Sequence, residues 1–245
     1  MKLPDLPRHS GVFVAGTDTG VGKTLVAGAI ARLLRREGRR VGVFKPVATG
    51  CRHDREGLVS SDAEFLAWCA DCEYPLSVVT PVTYATPAAP AACELVERRA
   101  VDLEHIANMY QYVCSVSDVV VVEGIGGVRV PISQGVEVLD LAAAMRLPVV
   151  VVARPNLGTI NHTLLTVGAL RGAGLKVAGV VVSGYNAETA DAAVEMAPEI
   201  IAEYGDVKIL SLLPYDPESN VEAGRLGAGT LEVLDQVDWA RIVQG

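Results

Sequence analysis

Residues 16–24, with the sequence GTDTGVGKT, have the residue types of a phosphate-binding loop. Glycines let backbone N–H groups approach an anion closely, and a helix starting near Lys23 would direct its positive end to the same place. Lys23 would contact the β- and γ-phosphates, and the Thr24 hydroxyl would ligate Mg²⁺. The segment therefore predicts a nucleoside triphosphate site. The alternative is a glycine-rich turn that binds nothing.

The spacing of the glycines is unusual for such a loop. Five residues separate Gly16 from Gly22, and position 17, where the common pattern has its first glycine, is Thr17. The preceding apolar run and the following apolar periodicity nevertheless supply the strand and the helix that the loop needs. A loop one residue longer indicates a subfamily of phosphate-binding proteins.

Three charged residues follow other predicted strands or open a helix. Lys45 follows VGVF, Asp62 opens a helix in SSDAEF, and Glu123 ends the run DVVVVE. Ligands of parallel sheets bind at the carboxyl ends of the strands, so these side chains are candidates for neutralising a phosphoryl group and holding Mg²⁺. The alternatives are a solvated lysine, a helix-capping aspartate and an exposed carboxylate at a strand end.

The composition limits the classes of protein to consider. The chain has 245 residues, half of them hydrophobic, and a net charge of −8. One domain spanning residues 1–245 can bury a sizeable core, and the acidic balance disfavours nucleic acid as a partner. The N-terminus lacks the apolar region of a signal peptide, and no apolar run approaches the ~18 residues of a membrane span. We expect a cytoplasmic protein that acts on small molecules without a membrane partner.

Short apolar runs alternate with helical patterns along the chain, which predicts an α/β fold: a doubly wound, mostly parallel sheet with helices on both faces, as in P-loop NTPases. The predicted strands are residues 12–15, 41–44, 118–123, 148–153, 177–182 and 207–210. The predicted helices are residues 23–37, 61–70, 102–116, 136–146, 159–172, 187–204 and 230–236. The proline- and alanine-rich segment 75–100 is expected to be an irregular surface excursion.

Five blocks in order along residues 11–220 resemble dethiobiotin synthetase of the biotin pathway. They are GTDTGVGKT, KPVATG, SSDA, VVEGIGG and LPVVVVARPNLGTINHTLLT. The resemblance implies an ATP- and Mg²⁺-dependent ligase that joins 7,8-diaminopelargonic acid and CO₂ into dethiobiotin, with release of ADP and phosphate. A carbamate forms on one substrate amine, ATP phosphorylates it, and the second amine closes the ring.

The resemblance also implies roles for particular residues. Lys45 and Lys23 would be catalytic, and Thr24, Asp62 and Glu123 would ligate the metal. ATP would be bound by Gly20, Val21, Gly22, Lys23, Thr24, Leu25, Asp62, Glu123, Gly124, Ile125, Gly126, Ser183, Gly184, Leu213, Pro214, Tyr215 and Asn220. The substrate would be bound by Thr19, Lys45, Thr49, Thr159, Ile160 and Asn161.

In this family the helix start at Thr159–Asn161 comes from the neighbouring subunit, which implies a homodimer with the substrate site at the subunit interface. Without the resemblance, Asn161 could equally be an ordinary first-turn residue.

The chain departs from the family pattern at two positions. An acidic residue stands at the position of Gly20 in the best-known members, and some members have an asparagine at the position of Ser183 that reads the adenine edge. A hydroxyl cannot reproduce the paired donor and acceptor of an amide. We therefore expect a looser preference for ATP over other nucleoside triphosphates.

Other functions share the sheet and the loop. Partition and cell-division ATPases place an additional lysine where this chain has Asp18, and they lack counterparts of Lys45 and the TINHTLL block. An amidotransferase-type synthetase domain would normally be fused to a glutaminase domain, for which this chain has no candidate nucleophile block. A bare ATP-binding module without chemistry is the remaining alternative.

Overall fold

The computed structural model describes residues 4–55, 57–186 and 188–245. In chain order, its strands are β1 (Gly11–Gly16), β2 (Val41–Phe44), β3 (Val47–Ala48), β4 (Arg52–Asp54), β5 (Gly57–Val59), β6 (Val82–Thr83), β7 (Val119–Gly127), β8 (Pro131–Ser133), β9 (Val136–Glu137), β10 (Val149–Ala153), β11 (Val177–Tyr185) and β12 (Ile209–Pro214). The helices are α1 (Lys23–Arg36), α2 (Ser61–Ala70), α3 (Leu76–Val79), α4 (Pro90–Glu97), α5 (Leu103–Val116), α6 (Val138–Met145), α7 (Thr159–Gly172), α8 (Ala192–Gly205), α9 (Ala228–Leu234) and α10 (Trp239–Ile242).

Six strands form the central sheet in the order β12-β11-β10-β1-β7-β2. Each neighbouring pair in this sheet is parallel. The chain leaves β1 toward one edge, returns through β7, and then continues on the other side of β1 from β10 to β12. The predicted doubly wound parallel sheet is confirmed, and its ligand crevice is expected at the carboxyl ends of the central strands.

The sheet is buried on both faces because successive strand residues point to opposite sides. In β1, Phe13 belongs to one apolar cluster together with α5, α6 and α7 residues, whereas Val12 and Val14 belong to another with α1 and α2 residues. All six residues of β1 are buried. This explains why the strands have continuous apolar runs without polar alternation.

Several element boundaries differ by a few residues from the approximate predicted ones, and local contacts explain the differences. The segment predicted as helix 136–146 begins with β9, and α6 starts only at Val138, since Glu137 and Asp140 form a capping box there. Helix α8 starts at Ala192 and not near residue 187, because the Asp191 side chain accepts a hydrogen bond from Val194 N–H and caps it. Residue 187 itself lies outside the described residues. The last predicted helix, 230–236, is α9 and starts at Ala228.

Strand ends and the segment 75–100 also differ from the prediction. Strands β7, β11 and β12 run past their predicted ends at 123, 182 and 210, and hydrogen bonds to neighbouring strands continue the pairing there. Residues 75–100 contain α3, β6 and α4, so the expected irregular excursion is partly regular structure. Pro90 is the first residue of α4, a position that needs no backbone N–H donor. None of the described helices is long and apolar enough to cross a membrane.

Candidate active site

The glycine-rich loop connects β1 to α1. Gly20 and Gly22 have φ angles of 72° and 95°, which side chains other than glycine rarely adopt. Gly22 also precedes the first residue of α1. Lys23 is buried, and its Nζ donates a 2.7 Å hydrogen bond to the carbonyl of Asp18. The loop therefore wraps around the lysine ammonium and leaves the N-terminus of α1 directed at the space above it.

Strand β11 also restricts which residue can stand at position 22. A Cβ atom at this position would lie 2.5 Å from Ser183 Oγ, so the loop and β11 are in close contact. The Ser183 side chain thus lies beside the loop. Strand β11 reaches this point because it extends to Tyr185.

A buried cluster of charges lies beside the loop. Lys45 Nζ is 2.8 Å from Asp62 Oδ2 and 2.9 Å from Glu123 Oε1. The Thr24 hydroxyl donates to the same Oε1 of Glu123 at 2.8 Å. Lys45 is 3% exposed and Glu123 is 1% exposed, so neither is the solvated surface residue that the sequence left open. Ser60 caps α2 with its own side chain, and Asp62 lies in the first turn of α2.

The cluster lies together because of the topology. Lys45 follows β2, and Glu123 lies on β7, the strand between β2 and β1. Glu123 is in register with Val14 of β1. Since the three strands are parallel, their carboxyl ends meet at one edge, where α1 supplies Thr24.

The protonation of the cluster follows from burial and charge. Burial raises the pKa of Glu123, and the attraction of Lys45 offsets only part of the effect. Burial alone would lower the pKa of Lys45, but Glu123 and Asp62 outweigh it and hold that pKa above its usual range. Burial would raise the pKa of Asp62, yet Lys45 and other hydrogen-bonding partners lower it. Burial lowers the pKa of Lys23 to about 8.

The donor set suits a hard divalent cation. Thr24, Asp62 and Glu123 offer hydroxyl and carboxylate oxygens, the ligands that Mg²⁺ prefers. Glu123 Oε2 is buried and has no hydrogen-bond partner, so one acceptor of the set is available. Among the described residues, no group of three or more His, Cys, Asp or Glu could hold a metal by itself. A metal here would need further ligands from phosphate and water.

A cavity of about 390 Å³ opens over the loop and the charged cluster. It brings together most of the residues predicted for phosphate, metal and substrate. Those in its lining are Thr19, Gly20, Gly22, Lys23, Thr24, Leu25, Lys45, Thr49, Asp62, Glu123, Ile125 and Gly126. Val21 and Gly124 are buried beside this set and do not line the cavity.

The residues predicted near the nucleotide base are more scattered. Leu213 is completely buried in the core, whereas Pro214, Tyr215 and Gly184 are exposed and do not line the cavity. The Asn220 side chain accepts a hydrogen bond from Ala223 N–H within its own turn. Their roles toward ATP stay predictions.

The start of α7 lies outside the cavity of its own chain. Thr159 is buried and its hydroxyl has no hydrogen-bond partner, whereas Asn161 is exposed and Ile160 is partly buried. No side chain caps this helix at Gly158, and Thr159 N–H donates to the Asn156 carbonyl, so the N–H groups of Ile160 and Asn161 are the ones available for an anion. Thr159, Ile160 and Asn161 stay predicted substrate contacts.

The sequence interpretation missed four residues at the site. Ser61, Val221 and Glu222 line the cavity. Arg154 donates hydrogen bonds to Asp18 Oδ2 at 2.9 Å and to the Thr19 carbonyl at 3.0 Å, and so braces the loop. Arg154 directly follows β10, so the rule that singled out Lys45 would also have found it.

Comparisons with known proteins place the chain in one family. The family model described as "AAA domain" matches residues 10–223. An ATP-dependent dethiobiotin synthetase BioD from Anaeromyxobacter sp. (strain K) is 42% identical over 218 residues, which cover 89% of this chain and 96% of the relative. A protein of the same name from Thermodesulfovibrio yellowstonii is 37% identical over 233 residues, covering 92% of this chain and 96% of the relative. The chain belongs to the dethiobiotin synthetase family.

Solved structures extend the likeness to the fold. MinD from Aquifex aeolicus aligns with a TM-score of 0.57 at 14% identity, covering 96% of this chain and 97% of that one. Apo McdA from Cyanthece aligns with a TM-score of 0.59 at 13% identity, covering 97% and 100%. At such identities the likeness concerns the fold alone. The P-loop NTPase-like architecture and the resemblance to dethiobiotin synthetases, a family of ATP-dependent ligases, are confirmed.

Proposed function

We propose that this protein catalyses the ATP- and Mg²⁺-dependent closure of 7,8-diaminopelargonic acid and CO₂ to dethiobiotin, with release of ADP and phosphate. The observation that carries the proposal is the cluster of buried Lys45 and Glu123 with partly exposed Asp62 beside the phosphate loop, in a chain of this family. One substrate amine takes up CO₂ as a carbamate, and the γ-phosphoryl group activates that carbamate. Attack by the second amine then expels phosphate and closes the ureido ring.

The loop would position the phosphates of ATP. The N-terminus of α1 and the buried Lys23 ammonium face the space where the β- and γ-phosphates would lie. Phosphoryl transfer needs positioning and charge neutralisation more than a protein nucleophile. Lys23 would bridge the phosphates and the carbamate, and Thr19 and Thr49 would contact the substrate.

Lys45 is the proposed stabiliser of charge on the carbamate and the transferred phosphoryl group. An ammonium group has three N–H donors, and Asp62 and Glu123 occupy two of them. One donor of Lys45 is thus available, within the described contacts, for an oxygen of the reacting groups. Because the ammonium is buried and held charged, its electrostatic effect is stronger than it would be in water.

Thr24, Asp62 and Glu123 are the residues that would hold Mg²⁺. When bound, the metal would neutralise charge on the phosphates. The buried, unpartnered Oε2 of Glu123 supports this assignment.

We further propose a homodimer in which α7 of one subunit completes the substrate site of the other. Leu157 precedes α7 and Leu165 lies in its second turn; they are 87% and 65% exposed, and the proposed interface would cover them. Between them, the uncapped N-terminus of α7 would bind the substrate carboxylate.

An assay of carbon fixation tests the reaction. The protein is incubated with 7,8-diaminopelargonic acid, labelled bicarbonate, ATP and Mg²⁺, and acid-stable label is measured in the product. We expect ureido product and an equal amount of ADP, with neither above background when the diamine is omitted. Absence of label above background with all components present would refute the proposed reaction.

A complementation experiment tests the composite site. Lys45→Gln and Asn161→Ala should each be inactive or nearly so, and co-expression should restore up to about a quarter of wild-type activity, since half of the dimers are mixed and each mixed dimer has one intact site. Co-expression of Lys45→Gln with Lys45→Met is the matched control and should restore nothing. Activity of the first mixture that stays at the control level would contradict a shared site.

A further inference from the structure

Asp216 lies three residues beyond the core residue Leu213 and accepts four hydrogen bonds. Its Oδ1 accepts from Glu218 N–H at 3.0 Å. Its Oδ2 accepts from the Ser219 hydroxyl at 3.0 Å, and from Thr230 N–H and the Thr230 hydroxyl at 3.1 and 2.8 Å. One carboxylate therefore fastens both the start and the end of segment 216–230.

This carboxylate also replaces a missing helix cap. Gly227 precedes α9 and has no side chain to accept the N–H of Thr230, the third residue of that helix. Asp216 accepts it from outside the helix. Gly227 N–H binds the Ser219 hydroxyl at 2.9 Å, and Asp216 leaves no room for a Cβ atom at Gly227. Helix α9 packs on α1 and β12, so the hydrogen bonds of Asp216 to Thr230 connect the segment to the core.

The middle of the segment is a tight turn directed at the cavity. Asn220 and Arg225 exchange two backbone hydrogen bonds of 2.9 Å, and Asn220 Oδ1 accepts from Ala223 N–H at 2.8 Å. At the tip, Val221 and Glu222 line the cavity beside the phosphate loop. The position of the tip therefore depends on the fastening at residues 216 and 230.

We propose that Asp216 is the positioning residue for the nucleoside end of the cavity: by fastening segment 216–230 it places Val221 and Glu222 against the nucleoside of ATP. This inference rests on the proposed use of ATP in this cavity. Asp216 does not line the cavity itself, so it acts through the turn. The phosphate loop, in contrast, has its own contacts to Lys23 and Arg154 and does not depend on Asp216.

The test separates the nucleoside from the phosphates. Asp216→Ala should raise the KM for ATP and the Kd for ATP about tenfold, the equivalent of one hydrogen-bonded contact, and leave kcat at saturating ATP within about twofold. The Kd for inorganic tripolyphosphate, which carries the phosphates alone, should be unchanged. Binding is measured by calorimetry with full-length protein and Mg²⁺.

Two further variants keep the test decisive. Thr230→Val removes one donor to Asp216 at nearly constant volume and should give the same pattern with a smaller rise, about twofold to fivefold, even where Asp216→Ala does not fold. Asp238→Ala is the matched control, because Asp238 caps α10 by accepting from Arg241 N–H at 2.9 Å and does not line the cavity. It should leave both affinities unchanged.

An unchanged affinity for ATP in Asp216→Ala and Thr230→Val would overturn the inference. A parallel loss of tripolyphosphate affinity would also overturn it, since it would indicate general damage and no specific effect on the nucleoside end. The binding measurements need no diamine substrate. If the wild-type protein makes no ureido product but binds ATP with the expected pattern, the proposed reaction fails and the inference about Asp216 stands.

Discussion

The phosphate end and the nucleoside end of the cavity are built in different ways. At the phosphate end, Lys45 and Glu123 come from different strands, and both are almost completely buried. At the nucleoside end, a single segment, residues 216–230, is folded by hydrogen bonds within itself, and much of its surface is exposed. On the proposed assignment of the two ends, the sheet would determine where the phosphates bind, whereas local side chains would determine how the nucleoside is held.

The pKa values of the central carboxylates at the two ends, Glu123 and Asp216, are shifted in opposite directions. Burial raises the pKa of Glu123, and the ion pair with Lys45 offsets only part of that effect. Burial would likewise raise the pKa of Asp216, but hydrogen bonds from Thr230, Glu218 and Ser219 outweigh it and hold that pKa below its usual range. Asp216 therefore stabilises the fold in its charged form through hydrogen bonds, whereas the charge of Glu123 depends on the buried ammonium of Lys45 as its counter-ion.

The largest effect is expected at the phosphate end. Lys45→Gln should lower kcat about 10²–10³-fold, because the glutamine amide has no positive charge for the reacting groups. Far-UV circular dichroism should show a retained fold. The measurement is single-turnover formation of ureido product, and a rate near that of the wild type would contradict the role of Lys45.

The next effect tests the contact between the phosphate loop and β11. Gly22→Ala should lower the free energy of unfolding by more than Gly20→Ala. Both substitutions place alanine at a positive φ, at a cost of about 1–2 kcal/mol, but only the Cβ at position 22 meets Ser183 Oγ.

Urea titration measures these changes, and Ser183→Gly in the Gly22→Ala background should restore most of the difference between the two alanine variants. No restoration would mean that β11 does not constrain the loop.

These contacts show what could be predicted from the sequence. The loop, Lys45, Asp62 and Glu123 were predicted because a parallel sheet brings residues at strand ends together, whatever the details of packing. The prediction did not extend to the ends of β11 and β12, since continued pairing with a neighbouring strand leaves no local signal in the chain.

The role of Asp216 could not be predicted from the sequence for a related reason. Its partner Thr230 lies 14 residues away, and the helix that it caps has a glycine at the usual capping position. A sequence pattern for capping looks only within the first turn of a helix. Glu222 was missed because its approach to the cavity depends on this same fold of the segment.

A smaller effect compares the two carboxylates directly. At pH 7, Asp216→Asn should lower the free energy of unfolding by about 1–3 kcal/mol, because an amide nitrogen cannot accept the hydrogen bonds that a carboxylate oxygen accepts. Glu123→Gln should also lower that free energy, since it takes one of two carboxylate partners from the buried Lys45 ammonium.

The pH dependence of stability tests independently whether the charge of Asp216 stabilises the fold. The pKa of Asp216 is lower in the folded than in the unfolded protein, so the charged carboxylate stabilises the fold at pH values above the unfolded pKa. This stabilisation is lost as the pH falls through the folded pKa, which lies below the usual range of an aspartate. The difference in the free energy of unfolding between the wild type and Asp216→Asn, measured by urea titration, should therefore become smaller below about pH 4. A difference in the free energy of unfolding that persists below this pH would contradict the stabilising role of the Asp216 charge.

The smallest effect concerns the choice of nucleotide base. Ser183 has one hydroxyl where an asparagine would offer a paired donor and acceptor, and that hydroxyl lies against Gly22 of the loop. We therefore expect kcat/KM values for ATP, GTP and CTP within about tenfold of one another, since a single net hydrogen bond is worth about that factor. Ser183→Ala should leave the ratios within about twofold of the wild type if the hydroxyl packs against the loop and does not read the base. Strict use of ATP, with a preference above about a hundredfold, would mean that backbone groups or segment 216–230 select the base, and the nucleoside end would then be as strongly determined as the phosphate end.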